Sequence, residues 1–257
     1  MTDAAGAIRC EDLPSAIRVV TLLRPTSRNA LTPRMLVSLE QAFAPAAGIR
    51  ALVVEGEGKA FCSGYDLDCL EEDSVAGRAP DGALQQVFRL LEEAPFPSVA
   101  VVQGAAFGAG CELACACDFR VGSPDAVFCL PALKLGIVYA PDGLWRLAQL
   151  VGTQRTREML LTGRTVSTET AMRWGLLDRV EPDVVAAGRA FAEELAATAP
   201  LAMAGTRLAL SRLERSPLTE GDRFELEKVR AQAFASQDAA EGRAAVRERR
   251  PPRFRGQ

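Results

Sequence analysis

Short runs of β-branched and aliphatic residues alternate with helical patterns along the first half of this chain. The strand-like runs are residues 17–23, 49–58, 98–104 and 118–131, the last being a strand followed by a bend. Helices are predicted after Thr32, the expected N-cap before Pro33, and over residues 81–95. From Pro141 onward the patterns are almost all helical. This order predicts an α/β core with a helical C-terminal layer.

The composition supports one large folded unit, or one unit with an appendage. Of the 257 residues, 48% are hydrophobic and 25% are charged, which argues against a disordered chain. The formal net charge is −3 and basic residues cluster only at residues 247–256, so nucleic acid is not an expected partner. We interpret that cluster as a solvated tail, with an anion site as the alternative. Residues 74–82, a patch that contains alanine, aspartate and glycine, are expected to form a mobile loop.

The chain is expected to be cytoplasmic and outside the membrane. No run of about 18 apolar residues occurs, and charges interrupt the N-terminal residues, which lack a signal-peptide profile. The seven cysteines show no spacing typical of a zinc site, so small buried thiols in a reducing compartment are expected. Trp145 and Trp174 are expected to pack in the core.

The absence of histidine excludes more kinds of catalytic site than any other feature of the composition. A chain with no histidine cannot use Ser-His-Asp or Cys-His catalysis, an imidazole base or a histidine-bound metal. Acid–base chemistry must then come from carboxylates, tyrosine, cysteine, lysine or the backbone.

Two turns rich in small residues, residues 58–67 and 104–113, each follow a predicted strand. Small residues let a ligand approach the backbone, and N–H groups at a helix start point outward. Two such turns side by side could direct one N–H each at a single oxygen atom, which is an oxyanion hole. The alternative is that the glycines only allow tight packing of a helix on a sheet.

Glu112 is the one acid in the small and apolar run that follows the second turn. Burial there is expected to raise the pKa of this carboxyl and suit it to proton transfer. An oxyanion hole with a carboxylate beside it fits enolate chemistry on a thioester. The alternative is a first-turn glutamate stabilised by the helix dipole.

Seven segments in order resemble the crotonase, or enoyl-CoA hydratase/isomerase, family. They are RNAL at 28–31, ALVVEGEGKAFCSGYDL at 51–67, VAVVQGAAFGAGCELACACDFRV at 99–121, LKLGIV at 133–138, RLAQLVG at 146–152, LLTGRTVSTETAMRWGLLDRV at 160–180 and the tail from residue 236.

The resemblance implies a crotonase-like (ClpP/crotonase) α/β fold of repeated ββα units over residues 1–198. It implies a helical oligomerisation region over residues 199–257 that builds a homotrimer or homohexamer. The implied substrate is an acyl-CoA thioester, as in fatty acid metabolism. Coenzyme A is then part of the substrate, and neither a separate cofactor nor a metal is expected.

The resemblance also implies residue roles. Glu112 would carry the proton, and the backbone N–H groups of Tyr65 and Ala109 would form the oxyanion hole. Ala109 replaces a glycine common in the family, which costs little if its backbone angles are ordinary. Arg249 and Arg250 match a basic stretch near the nucleotide. Substrate and CoA contacts are implied for Arg28, Ala30, Ala60, Ser63, Gly64, Asp66, Leu67, Gly108 and Tyr139.

The chain departs from the family pattern at two places. Ala132 stands where hydratases carry a second glutamate, and a methyl group can neither donate a proton nor orient water. Asp142 could supply the missing carboxylate, but a role at the start of a helix is the favoured interpretation. Tyr65 and Tyr139 are interpreted as aromatic walls, with hydrogen-bond donation as the alternative. Asp66 is interpreted as a loop-organising acceptor.

These residues and the family resemblance favour two classes of function. The leading hypothesis is a lyase that hydrates a 2-enoyl-CoA or dehydrates a 3-hydroxyacyl-CoA through a thioester enolate. A double-bond isomerase is the close alternative, and a thioester hydrolase or decarboxylase would use the same hole. The alternative of another class is a non-catalytic acyl-CoA-binding subunit.

Overall fold

A computed structural model of the chain describes residues 7–69, 81–134, 138–215, 236–248 and 250–257, together with 220–221, 224–225, 228–229 and 232. Its strands are β1 Ile8–Asp12, β2 Ile17–Leu22, β3 Ala51–Gly56, β4 Ala60–Cys62, β5 Ser98–Val102, β6 Ala105–Phe107, β7 Phe119–Gly122, β8 Val127–Cys129, β9 Val166–Ser167 and β10 Arg179–Val180. Its helices are α1 Pro33–Phe43, α2 Asp81–Glu93, α3 Ala109–Ala116, α4 Pro141–Val151, α5 Thr153–Thr162, α6 Thr168–Trp174, α7 Val184–Ala196, α8 Pro200–Arg215 and α9 Gln237–Glu248.

Two sheets organise the core. The larger has the strand order β1-β2-β3-β5-β7-β10, in which β1 is antiparallel to β2 and the other pairs are parallel. The smaller has the order β4-β6-β8-β9. Each of the pairs β3/β4, β5/β6 and β7/β8 places its first strand in the larger sheet and its second in the smaller. With α2 and α3 following the first two pairs, this is the expected α/β arrangement of repeated ββα units.

The central strands of the larger sheet are buried on both faces, which explains why β3 is apolar from Ala51 to Val54. Alternate residues such as Val20 and Val54 face the main core with α1, α2 and α3. The intervening residues, such as Val53 and Val101, pack against Phe191 and its neighbours on α7. The predicted α1 start is confirmed, since the Thr32 Oγ1 accepts a hydrogen bond from the Met35 N–H at 3.3 Å.

Several elements differ from the prediction. Residues 118–131 form two strands, β7 and β8, which lie in different sheets. The strands β1, β4, β6, β9 and β10 were not expected. The last four have only two or three residues, too few to show a periodicity, and β1 carries charged residues at three of its five positions. Trp145 is 51% exposed, so its expected place in the core is wrong, whereas Trp174 is partly buried against the core. Most of the loop expected over residues 74–82 lies outside the described residues.

The C-terminal segment is anchored by its backbone. The N–H groups of Arg255 and Gly256 both donate to the Asp238 carboxylate at 2.6 Å, and Asp238 is buried. Arg50 donates to the Phe254 carbonyl at 2.9 Å. Residues 250–257 are mostly exposed, as expected of a solvated tail, but these contacts fix their backbone to the fold.

Arg250 is engaged within this segment, with its guanidinium paired to Glu241 and Glu248. Hydrogen bonding from Arg250 lowers the pKa of Glu241 to about 2. Arg249 lies outside the described residues. Within the described part of the chain, no helix has the length and apolar character needed to cross a membrane.

Candidate active site

The two small-residue turns meet at Gly64 and Gly108. Both glycines have positive φ values, +108° and +54°. A methyl group on Gly64 would lie 2.9 Å from the Phe107 carbonyl oxygen and 3.5 Å from the Ala109 nitrogen. One on Gly108 would lie 3.7 Å from Gly64 Cα. The parallel pairing of β4 with β6 brings the turns together, and residues 65 and 109 follow them directly.

The backbone around the Tyr65 amide is held from the opposite side. Leu31 pairs with Tyr65 as a parallel bridge, in which its N–H donates to the Gly64 carbonyl and its carbonyl accepts from the Asp66 N–H, both at 2.8 Å. In such a bridge the N–H of the paired residue points away from its partner strand. The Tyr65 N–H is thus directed away from Leu31.

The Ala109 amide starts α3. As the first helical residue, its N–H has no acceptor within the helix. Ala109 does not have a positive φ, so alanine fits this position without the backbone strain that Gly108 relieves. The N–H therefore faces outward from the helix start beside Gly64.

Glu112 lies one turn into the same helix, and all eight residues of α3 are buried. Glu112 is 7% exposed, and its Oε1 atom is buried. A methyl group built on Gly143 would lie 1.8 Å from this Oε1. The carboxylate thus occupies the space where a side chain at position 143 would lie, against the first turn of α4. A helix N-terminus stabilises negative charge.

A polar group of α2 and α4 lies behind Glu112. The Arg146 Nε donates to Glu92 at 2.5 Å, and its Nη2 lies 3.5 Å from the Gln85 Oε1. The Gln85 Nε2 lies 3.8 Å from the position of a Gly143 Cβ. Sequence reasoning missed Gly143, Gln85 and Arg146. The glycine directly after Pro-Asp at a predicted helix start was the one available signal.

A small cavity of about 10 Å³, room for roughly one water molecule, lies beside Glu112. Its lining residues are Cys111, Glu112, Cys115, Leu130, Tyr139, Gly143, Leu144, Leu147 and Leu160. Glu112 is the one carboxylate among these residues, and most of the others are apolar. Burial, together with the nearby charge of Glu112, raises the pKa of the Tyr139 phenol well above its ordinary value. The cavity is therefore lined mainly by apolar groups, together with one acid and one neutral phenol.

The remaining predicted contacts lie on the first turn or on the segment that pairs with it. Arg28 is exposed, and its backbone has the left-handed conformation with φ 51°. Its carbonyl accepts a hydrogen bond from the Ser63 N–H at 2.9 Å. Asp66 pairs with Arg24 at 3.0 Å and accepts from the Asp68 N–H, which organises the loop. Leu67 is exposed, whereas Ala30 and Ala60 are buried.

Asp142 is placed away from the cavity. It lies in the first turn of α4 and is exposed, and it does not belong to the cavity lining. Ala132 begins the short 3-10 helix Ala132–Lys134. Five of the expected thiols are buried, namely Cys62, Cys111, Cys115, Cys117 and Cys129. Among the described residues, no cluster of three or more acids or cysteines could hold a metal ion.

Asn29 connects the first turn of the site to the segment that carries Arg28, a role that was not predicted. It is fully buried at φ 56°. Its Nδ2 donates to the carbonyls of Glu57 and Ala60 at 3.0 and 2.8 Å, and its Oδ1 accepts from the Arg24 N–H at 2.9 Å. The side chain therefore fixes the segment before the Tyr65 amide to the segment that carries Arg28.

Known proteins share this architecture over the whole chain. Residues 12–257 match the family described as enoyl-CoA hydratase/isomerase. A Mycobacterium tuberculosis protein named "Probable enoyl-CoA hydratase echA6" is 35% identical over 246 residues, covering 94% of this chain and 96% of that protein. The carnitinyl-CoA dehydratase of Salmonella typhi is also 35% identical, covering 92% of this chain and 94% of that protein.

Solved structures agree with the sequence matches. An enoyl-CoA hydratase from Bacillus anthracis superposes with a TM-score of 0.87 at 26% identity, covering 98% of this chain and 100% of that one. An enoyl-CoA hydratase/carnithine racemase from Magnetospirillum magneticum also has a TM-score of 0.87, at 30% identity, covering 98% and 96%. The chain belongs to the enoyl-CoA hydratase/isomerase, or crotonase, family.

Proposed function

We propose that this chain is an acyl-CoA lyase that hydrates a 2-enoyl-CoA, or dehydrates the corresponding 3-hydroxyacyl-CoA. The observation that carries the proposal is the meeting of two turns at Gly64 and Gly108, with Glu112 one helical turn beyond. The amides of Tyr65 and Ala109 bind the thioester oxygen and stabilise the enolate charge that develops there.

One carboxylate suffices to balance the proton transfers of hydration. A water oxygen bonds to C3 of the enoyl group while Glu112 takes one proton from that water. The electron pair of the C2–C3 double bond moves to the thioester, whose oxygen carries the enolate charge. Glu112 then returns the proton to C2, and the net change is the addition of one water molecule. The carnitinyl-CoA dehydratase relative is named for a reaction of this type in reverse.

A double-bond isomerase is the second candidate, and Ala132 favours it. With no carboxylate at that position, a single base can remove a proton from one carbon and return it to another through the same enolate. Hydrolysis or decarboxylation of a thioester would use the same oxyanion hole with a different leaving group.

Coenzyme A is proposed to be bound as part of the substrate, without a further cofactor. Arg28 is exposed, and its backbone carbonyl accepts from the Ser63 N–H beside the turn at Gly64, so its side chain suits the CoA phosphates. The family resemblance supports a homotrimer or homohexamer.

Turnover of two thioesters by Glu112→Gln tests the proposal. We expect the wild type to hydrate crotonyl-CoA, and Glu112→Gln to lose at least ~100-fold in kcat, because an amide cannot accept and return the proton. Conversion of a 3-enoyl-CoA without hydration would identify the isomerase. Full activity of Glu112→Gln would remove Glu112 from the mechanism. Tight CoA binding without turnover of either substrate would indicate the non-catalytic subunit.

A further inference from the structure

The Tyr139 hydroxyl lies where the two turns meet. The position of a methyl group on Gly108 is 3.5 Å from the Tyr139 hydroxyl oxygen and 3.7 Å from Gly64 Cα. Gly64 and Gly108 immediately precede the amides of Tyr65 and Ala109. The phenol hydroxyl and the two amides therefore border one small region.

This hydroxyl has no protein acceptor within the described part of the chain. Tyr139 is partly buried and packs against the main core, yet no described residue hydrogen-bonds its oxygen. This oxygen is not among the buried atoms left without a partner, so it is accessible. A phenol hydroxyl can donate one hydrogen bond, which leaves it available to a ligand bound beside the two turns.

The phenol is held in the form that can donate. Burial, reinforced by the Glu112 charge, raises the pKa of Tyr139 above its ordinary value of 10.0. The hydroxyl therefore keeps its proton at physiological pH. A neutral donor in an apolar cavity stabilises an oxyanion more strongly than the same donor in water.

We propose that the Tyr139 hydroxyl is a third hydrogen-bond donor of the oxyanion hole and binds the thioester oxygen together with the amides of Tyr65 and Ala109. This inference rests on the proposed function and adds a side-chain catalytic residue to it. A third donor stabilises the enolate from the oxygen side. This stabilisation of the enolate partly compensates for the absence of a carboxylate at position 132.

Two substitutions separate the hydroxyl from the aromatic ring. Tyr139→Phe removes the O–H and keeps the ring, whereas Tyr139→Leu removes both. Each is compared with the wild type in crotonyl-CoA turnover, thermal unfolding and the absorption spectrum of bound cinnamoyl-CoA. Hydrogen-bond donors to a conjugated thioester carbonyl polarise it and move its absorption to longer wavelength. The spectrum therefore measures hydrogen bonding in the oxyanion hole without requiring turnover.

We expect Tyr139→Phe to lower kcat by about 100-fold with KM changed less than about threefold, as for removal of one oxyanion-hole donor. The cinnamoyl-CoA shift should shrink while the melting temperature stays within about 2 °C of the wild type. Tyr139→Leu should fall to the same kcat or below it.

A wild-type spectral shift and wild-type kcat in Tyr139→Phe, with losses confined to Tyr139→Leu, would make the residue an aromatic wall and overturn the inference. The proposed hydratase function would then stand. A wild type that neither turns over crotonyl-CoA nor shifts cinnamoyl-CoA would overturn both.

Discussion

At the scale of single residues, Gly143 shows how the absence of a side chain builds the site. The Glu112 carboxylate fills the space next to its Cα, so the acid rests on the first turn of α4. The contact joins α3 to α4 and involves residues 31 positions apart in the sequence. Position 143 therefore controls where the Glu112 carboxylate lies.

Replacing Gly143 with alanine should displace Glu112 without unfolding the protein. The new methyl would lie 1.8 Å from the Glu112 Oε1, the far end of a flexible side chain that can rotate away. Because a shift of about 1 Å in a reacting group can cost about 100-fold in rate, we expect Gly143→Ala to lose at least that factor in kcat. Steady-state kinetics with crotonyl-CoA measure it.

Gly82→Ala is the matched control for this substitution. Gly82 also lies in the first turn of a helix, α2, but a methyl group there would meet no atom of the described residues within 4 Å. We expect unchanged turnover and a gain in stability of up to about 1 kcal/mol. Equal activity in the two variants would show that the Glu112 position does not depend on Gly143.

Residue identity could be predicted from sequence only where the signal is local. Glu112 stands out as one acid in a small and apolar run, and the amides of Tyr65 and Ala109 follow recognisable turns. Gly143 and Gln85 could not be found, because their role comes from packing between helices that no local pattern records. Trp145 was misplaced for the same reason, since exposure on α4 depends on what that helix packs against.

At the scale of elements, the proposed oxyanion hole depends on strands of three residues. β4 and β6 carry the two turns into contact, yet each is too short to show the alternation by which strands are recognised. The longer β2, β3 and β5 were predictable because burial on both faces gives continuous apolar runs. The sequence therefore indicated the larger sheet better than the smaller one that positions the amides.

Asn29 should be among the most sensitive positions outside the cavity. Asn29→Ala leaves the Arg24 N–H and the carbonyls of Glu57 and Ala60 without their side-chain partner, and it places alanine at φ 56°. We expect a loss of about 3 to 5 kcal/mol in the free energy of unfolding, from lost buried hydrogen bonds and left-handed strain. Urea denaturation measures this change.

Asn29→Gly separates the two causes. Glycine accepts the left-handed conformation but makes no side-chain hydrogen bond, so it should be about 1 kcal/mol more stable than Asn29→Ala. A wild-type urea midpoint for either variant would contradict the role assigned to this side chain.

At the scale of the whole molecule, the C-terminal segment closes back on the fold. Its order was not predicted, because prolines and arginines are typical of solvated tails. Asp238 fixes it by accepting backbone hydrogen bonds from Arg255 and Gly256, which lie 17 and 18 positions further along the chain. The proposed boundary between a core over residues 1–198 and a helical region over 199–257 stays a prediction.

Removing the Asp238 carboxylate should release this segment. We expect Asp238→Ala to be cleaved by trypsin after Arg253 or Arg255 at least about tenfold faster than the wild type, because local opening exposes the chain to the protease. Mass spectrometry of timed digests measures the rates. Cleavage at the wild-type rate would show that Asp238 does not anchor the tail.

The central claim is that two amides and Glu112 together generate a thioester enolate. The most direct measurement is exchange of the C2 hydrogens of saturated butyryl-CoA in D₂O, followed by NMR, because it requires neither hydration nor isomerisation. The account predicts deuterium at C2 with the wild type and exchange at the enzyme-free rate with Glu112→Gln. Wild-type exchange no faster than the enzyme-free rate, or equal exchange by both proteins, would contradict it.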